Sequence, residues 1–214
     1  MKKIFLVTIL ILIFSCSLHK YKGQKSNNDS NLSETEKAII NDFLDGELKK
    51  ERYLSYKDFE IVIIKEALKK MKSLDTYFYS LDEWNTMNKI KKSDDIKNLY
   101  FLDTIQIKKI KLELEKEIVY NWKVSDFKNI NVKLISDEDL RKIINTGSYS
   151  PGVTKNLIVF LSRPIIIDKD SVFISFDIGN GEFGNYAITH FTALMRKVNN
   201  KWVEKGYYED GVFY

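Results

Sequence analysis

The chain has 214 residues, 34 basic against 30 acidic, a formal charge of +4 and 44% hydrophobic residues. That is enough apolar material for one sizeable core or two small ones. Arg52, Arg141, Arg163 and Arg196 are the only arginines, and basic and acidic residues alternate throughout, so no basic face for nucleic acid is predicted. The densest basic run, Lys89-Ile90-Lys91-Lys92, is followed at once by Ser93-Asp94-Asp95 and reads as a solvated loop.

Residues Met1 to Cys16 read MKKIFLVTILILIFSC: two lysines, an apolar run, and a small residue before cysteine. The run from Ile4 to Phe14 is about half the ~20 residues that a spanning helix needs, and its basic start fits an export signal. Ile13-Phe14-Ser15-Cys16 resembles the lipobox of bacterial lipoprotein precursors, with Phe14 departing from the usual smaller residue. The resemblance implies cleavage after residue 15, a diacylglyceryl thioether on Cys16, and a membrane held through that anchor. Loss of Lys2 and Lys3 with the leader takes the formal charge from +4 to +2. Cys16 is the only cysteine, so no disulfide is available to a body that leaves the reducing cytosol, and lipidation gives the lone thiol a purpose.

Ser17 to Asn31 is poor in apolar residues and rich in Ser, Asn and Lys, a composition that cannot bury enough surface to order itself. We expect 16–31 to be a flexible tether, with a root-mean-square reach of roughly 20 Å. His19 falls in it and has no metal-binding partner nearby in sequence.

A single α+β domain is predicted over 32–214, helical to about 122 and strand-rich from about 129. Ser33 and Glu36 have the spacing of a capping box. Ile39, Ile40, Phe43, Leu44 and Leu48 then form one helical stripe, which Gly46 weakens. Ile61, Ile64, Leu68 and Met71 also have helical spacing, and Glu66 and Lys70 form a favourable i,i+4 pair, so a second helix is expected there. The aromatic stretch Thr76–Tyr79 and Trp84 lead into a polar segment; such rings beside a loop can stack on sugars or peptide groups in a binding loop, and core is the preferred reading. Ile107, Ile110, Leu114 and Ile118 predict a third helix over Asp103 to Tyr120 with a charged outer side.

After Trp122 the pattern changes. Asn131 to Ile135 alternates like a strand, and Ser136-Asp137-Glu138-Asp139 offers a cap and an acidic first turn for a helix through Ile144. Asn145 to Thr154 reads as a loop. Leu157–Ile167, Val172–Ile178, Tyr186–Val198 and Trp202–Tyr208 are four β-rich stretches separated by turn residues, the layout of an antiparallel meander. Pro164 places a bulge or an edge in the first of them. Asn199-Asn200 predicts a tight hairpin turn, because asparagine tolerates positive φ. The architecture expected is therefore an N-terminal helical layer packed on a C-terminal antiparallel meander.

The segment Asp177-Ile178-Gly179-Asn180-Gly181-Glu182-Phe183-Gly184-Asn185, with three glycines, is expected to be an irregular loop between strands. Asp177, Asn180, Glu182 and Tyr186 are its candidate binding residues. The spacing departs from a calcium loop, with Gly179 where a second oxygen ligand is needed, so no metal is assigned. His190 is the one histidine of the expected body, and a general-base role would need an orienting carboxylate, for which Asp177 or Glu182 could serve. Ser148 and Ser150 lack the G-x-S-x-G pattern of a nucleophile elbow. No phosphate loop or dinucleotide fingerprint is present, and no cofactor is expected.

The signal, the segment KDFEIVIIKEALKKMKSL and the end SFDIGNGEFGNY…HFTALMRKVNNKWVEKGYYEDGVFY together resemble a Bacteroidetes lipoprotein family of flavobacterial type, to which no activity is attached. The resemblance implies location in the cell envelope and brings no catalytic residue with it. No acidic cluster of the kind that resembles a surface-export signal in this phylum follows Cys16, which points to the periplasmic face of the outer membrane. The functional expectation is a non-enzymatic, membrane-anchored binding lipoprotein with an envelope protein or a small molecule as its partner. The alternative is an envelope hydrolase using His190 with an acidic partner.

Overall fold

The structure, a computed structural model, describes residues 31–88, 99–145, 155–181 and 186–211. Cys16, His19, the 89–95 cluster, the loop serines Ser148 and Ser150, and Glu182 lie outside the described residues. Helices α1 (Glu34–Glu47), α2 (Met71–Asn88), α3 (Thr104–Leu114) and α4 (Asp137–Asn145) accompany seven strands. These are β1 (Glu60–Ile64), β2 (Val132–Ile135), β3 (Asn156–Leu161), β4 (Ile165–Ile166), β5 (Ser171–Asn180), β6 (Tyr186–Val198) and β7 (Lys201–Tyr208). They form one mixed sheet ordered β2-β1-β3-β5-β6-β7, with β4 beside β5. At this level the class is α+β. No helix among the described residues is long and apolar enough to cross a membrane.

The largest departure from expectation lies at Ile61–Met71. Ile61-Val62-Ile63-Ile64 is a strand, β1, parallel to both β2 and β3. A strand covered on both faces reads as a continuous apolar run and not as an alternation, so its β-branched residues carried the stronger signal than their accidental helical spacing. Helix α2 starts only at Met71, and it takes in the aromatic stretch: Tyr77 is fully buried against Phe173 and Tyr208. The sheet is consequently not a pure meander. The four expected stretches do pair antiparallel in chain order, β3 and β4 with β5, β5 with β6 and β6 with β7, with Pro164 between β3 and β4, and the departure is the parallel extension by β1 and β2.

Side-chain alternation along β5 sorts the helices onto opposite faces. Val172, Ile174, Phe176 and Ile178 pack with Ile39, Ile40, Phe43 and Leu44 of α1. Phe173 packs with Leu74 and Tyr77 of α2 and, beyond them, Leu114 of α3. Leu140 of α4 meets Ile64 and Ile158 on that second side. Helices therefore cover both faces, where one layer was expected. Along β7 a register shift between Leu194 and Met195 inserts one extra residue, which reverses the alternation: Trp202 joins the α1 side, and Tyr208 the α2 side.

Two local expectations hold in detail. The Ser33 hydroxyl accepts from the Glu36 amide at 3.2 Å, and Glu36 Oε2 accepts from the Ser33 amide at 3.0 Å. Asn199 and Asn200, with φ of 50° and 63°, close the β6–β7 hairpin, since Val198 pairs with Lys201. The third helix is shorter than expected. It is capped by Asp103, ends at Leu114, and leaves Ile118 outside the core.

Candidate functional site

Three strands bring the candidate residues together. Asp177 and His190 are direct partners across β5 and β6. Their neighbours in register, Ser175↔Thr192 and Phe173↔Leu194, point toward α2, which places Asp177 and His190 on that same face. The chain leaves β7 at Tyr208, opposite Thr192, and two residues further on Asp210 stands beside His190. Its Oδ1 lies 3.1 Å from His190 Nδ1, and both side chains are largely shielded from solvent. Among the described residues Asp210, which the sequence did not suggest, thus stands where it can orient His190, while Asp177 faces His190 across the strands.

Sequence reasoning missed Asp210 because its position depends on the β7 bulge. The Asn199-Asn200 turn alone would set Glu209 opposite His190, and the extra residue moves the pairing on by one.

Asp177 is half-buried, and burial pushes its carboxyl above the ordinary range. Lys72 and His190 pull it back, while Asp210 adds to the rise. Asp177 thus has Lys72, His190 and Asp210 as its charged or ionisable neighbours. Asn180, by contrast, is buried within β5, opposite Leu157 and Tyr186, so the stretch Asp177–Asn180 is strand and not loop. A bulge between Ile178 and Gly179 is the irregularity that its glycine pattern foretold. Tyr186 opens β6, and its side chain lies outside what is described.

The first two turns of α2 stand over this row. Ser73 Oγ meets Ser175 Oγ at 2.7 Å, and Ser175 Oγ meets Thr192 Oγ1 at 2.6 Å, a hydroxyl ladder that is fully buried. Lys70 just before the helix and Lys72 in its first turn carry charge of unfavourable sign for its dipole. Glu117 offsets it: Oε2 accepts from the Lys70 amide at 2.8 Å, although burial pushes that carboxyl up. Beside the ladder is an open cleft of about 590 Å³, lined by Lys69, Met71, Lys72, Asp75, Thr76, Tyr79 and Asp210. Asp210 belongs to both features: it forms one wall of the cleft and holds His190.

Chemically the arrangement offers an imidazole with an oriented nitrogen, two lysines, two carboxylates and a phenol around a cleft open to solvent. Ser73, Ser175 and Thr192 are spent on one another, and the Thr76 hydroxyl, which lines the cleft, donates to the Lys72 carbonyl at 2.8 Å. Among the described residues no group of three or more His, Cys, Asp or Glu could hold a metal ion. Compared with protein-family models, with curated proteins and with solved structures, the chain has no match in any of the three.

Proposed function

We propose that this chain is a membrane-anchored binding lipoprotein of the cell envelope, tethered through Cys16 at the periplasmic face of the outer membrane. Its ligand site is the cleft walled on one side by Asp210, the residue that contacts His190. The observation that carries this reading is the cleft itself, whose lining mixes Lys69 and Lys72 with Asp75, Asp210 and the Tyr79 phenol. A small polar molecule bearing both acidic and basic groups would find a complement for each, while the Met71 side chain supplies apolar contact. The Bacteroidetes lipoprotein resemblance supports the location, and Asp177, the strand partner of His190, has Lys72 and Asp210 of the cleft lining among its charged neighbours.

The test is a thermal-shift screen against metals, sugars, peptidoglycan fragments and nucleotides. A ligand at ~100 times its dissociation constant stabilises the folded state by about 2.7 kcal/mol, worth several degrees. A shift abolished by Lys72→Ala or Asp75→Ala supports the cleft. A shift indifferent to both removes it.

The hydrolase reading is favoured by one observation, the 3.1 Å contact between His190 Nδ1 and Asp210 beside an open cleft. With that nitrogen held, the other is positioned to take a proton from water. His190→Gln would then abolish turnover while ligand-induced stabilisation persists; loss of neither sinks this reading.

A further inference from the structure

Helix α3 turns two aliphatic side chains to solvent at the centre of its outer face. Ile107, Ile110 and Leu114 point inward to α2, and Ile105 and Leu112, seven residues apart, lie opposite them. Ile105 is 79% exposed and Leu112 64%. Lys108 and Lys109 flank them on either side and are exposed, Lys111 and Lys116 add two more lysines, and the exposed Glu113 and Glu115 lie further out beside Lys109 and Lys108. Just past the helix Ile118 is 74% exposed. An apolar centre between lysines is the pattern of a helix that lies in the plane of a lipid surface.

The helix is also capped. Asp103 accepts from the amides of both Ile105 and Gln106 at 2.8 Å, and Gln106 returns a bond to the Asp103 amide. Unlike a free amphipathic peptide, it has no helix to form on binding.

We propose that the outer face of α3, centred on Ile105 and Leu112, rests on the anionic lipid surface in which Cys16 is anchored. This rests on the lipoprotein reading above. Two aliphatic residues and a few lysines bind bilayers weakly from solution. A short tether changes that by raising the effective concentration to the order of millimolar, so weak contact suffices to set the orientation of the body. Lysines near an anionic surface add attraction that salt screens within about 10 Å.

The test uses the full-length lipidated protein in vesicles containing brominated lipid, with and without phosphatidylglycerol. Ile105→Trp reports on the proposed face, and Leu54→Trp, also exposed but next to Tyr53 on the α1 side, is the control. The expected result is loss of most of the emission added at position 105, none of that at position 54, and recovery at high salt or without phosphatidylglycerol. Vesicle-bound protein with both positions quenched alike, or neither, overturns this proposal and leaves the anchor standing. Quenching at 105 that ignores both salt and phosphatidylglycerol overturns the anionic surface. Protein that fails to float with vesicles at all refutes the anchor, and the docking with it.

Discussion

Arg163 lays Nε and Nη2 on Oε1 of Glu36, at 3.0 and 2.7 Å, across 127 positions of sequence. The other oxygen of the same carboxylate closes the cap at Ser33. One side chain therefore starts α1 and pins it to the segment between β3 and β4, and the guanidinium also lies over the Tyr120 ring. Both side chains are mostly buried, so the pair is screened less than a surface bridge. Glu36→Ala should cost about 2–4 kcal/mol, the loss of a cap plus an unpaired buried cation. Glu36→Gln, which can still reach the Ser33 amide, should cost less. Urea unfolding of the two single variants and of Glu36→Ala with Arg163→Ala checks the coupling; additive losses would show that the pair holds nothing.

Glu47 ends α1, where a negative charge opposes the helix dipole, and it is buried. Four donors compensate: Arg52 at 2.8 Å, Lys50 at 2.9 Å, Tyr53 at 3.1 Å, and Tyr207 in a very short contact. The cluster joins α1 to the strand pair β6–β7, and burial pushes the Tyr53 phenol well above its usual range. Glu47→Ala strands Arg52 and two hydroxyls, while Lys50 keeps Glu204 at 2.9 Å, so a loss of about 3 kcal/mol is expected. Chemical denaturation measures it, and a loss under about 1 kcal/mol would mean that water replaces the carboxylate freely.

The hairpin turn offers a cleaner backbone test. Asn199 and Asn200 both hold positive φ, which costs most other residues about 1–2 kcal/mol. Asn200→Ala should destabilise by about that amount, and Asn200→Gly should match or exceed the native chain. Melting temperatures of the two variants decide it; equal values for alanine and glycine would show that the turn relaxes.

That turn was legible because its cause is local: two asparagines between two strands leave little choice of geometry. The Ser33–Glu36 cap and the bounds of β6 were legible for the same reason. β1 was not, because four apolar residues in a row are compatible with a buried strand or with one side of a helix, and only pairing with β2 and β3 decides. Among the site residues, His190 and Asp177 stood out by composition. Asp210 did not, since its place beside His190 depends on a single inserted residue in β7, and bulges leave little trace in a lone sequence. The cleft was equally hidden: it lies along α2, in a stretch read as helix at one end and as aromatic core at the other.

The hydroxyl ladder can be tested without touching the cleft charges. Ser175 bonds Ser73 and Thr192 through its Oγ, and its amide donates to Ser162 Oγ at 2.8 Å. Ser175→Ala removes the middle rung and leaves two buried hydroxyls short of a partner, at a cost of about 1–3 kcal/mol. Ser175→Cys, which restores a weak donor, should recover part of it. If alanine is neutral by thermal unfolding, Ser73 and Thr192 have found each other.

Asp177 makes stability depend on pH with a predictable sign. Its carboxyl is raised chiefly by burial, so the folded chain keeps that proton to higher pH than the unfolded chain does. Stability contributed by this group therefore falls as pH rises from the unfolded value, about 3.9, through the folded one, and is level above it. Asp177→Asn cannot ionise and escapes the penalty, although it also gives up the attraction to Lys72 and His190. Its melting temperature minus that of the native chain should accordingly grow with pH across the carboxylate range and then stop growing. Glu117 is shifted in the same direction but is common to both proteins, so it cancels in the difference. Thermal unfolding of the pair from about pH 4 to pH 8 provides the measurement over the range in which carboxylates and histidine titrate. A difference that stays constant, or one that shrinks as pH rises, would mean that Lys72 and His190 outweigh burial, and Asp177 would then be a stable anion beneath the cleft.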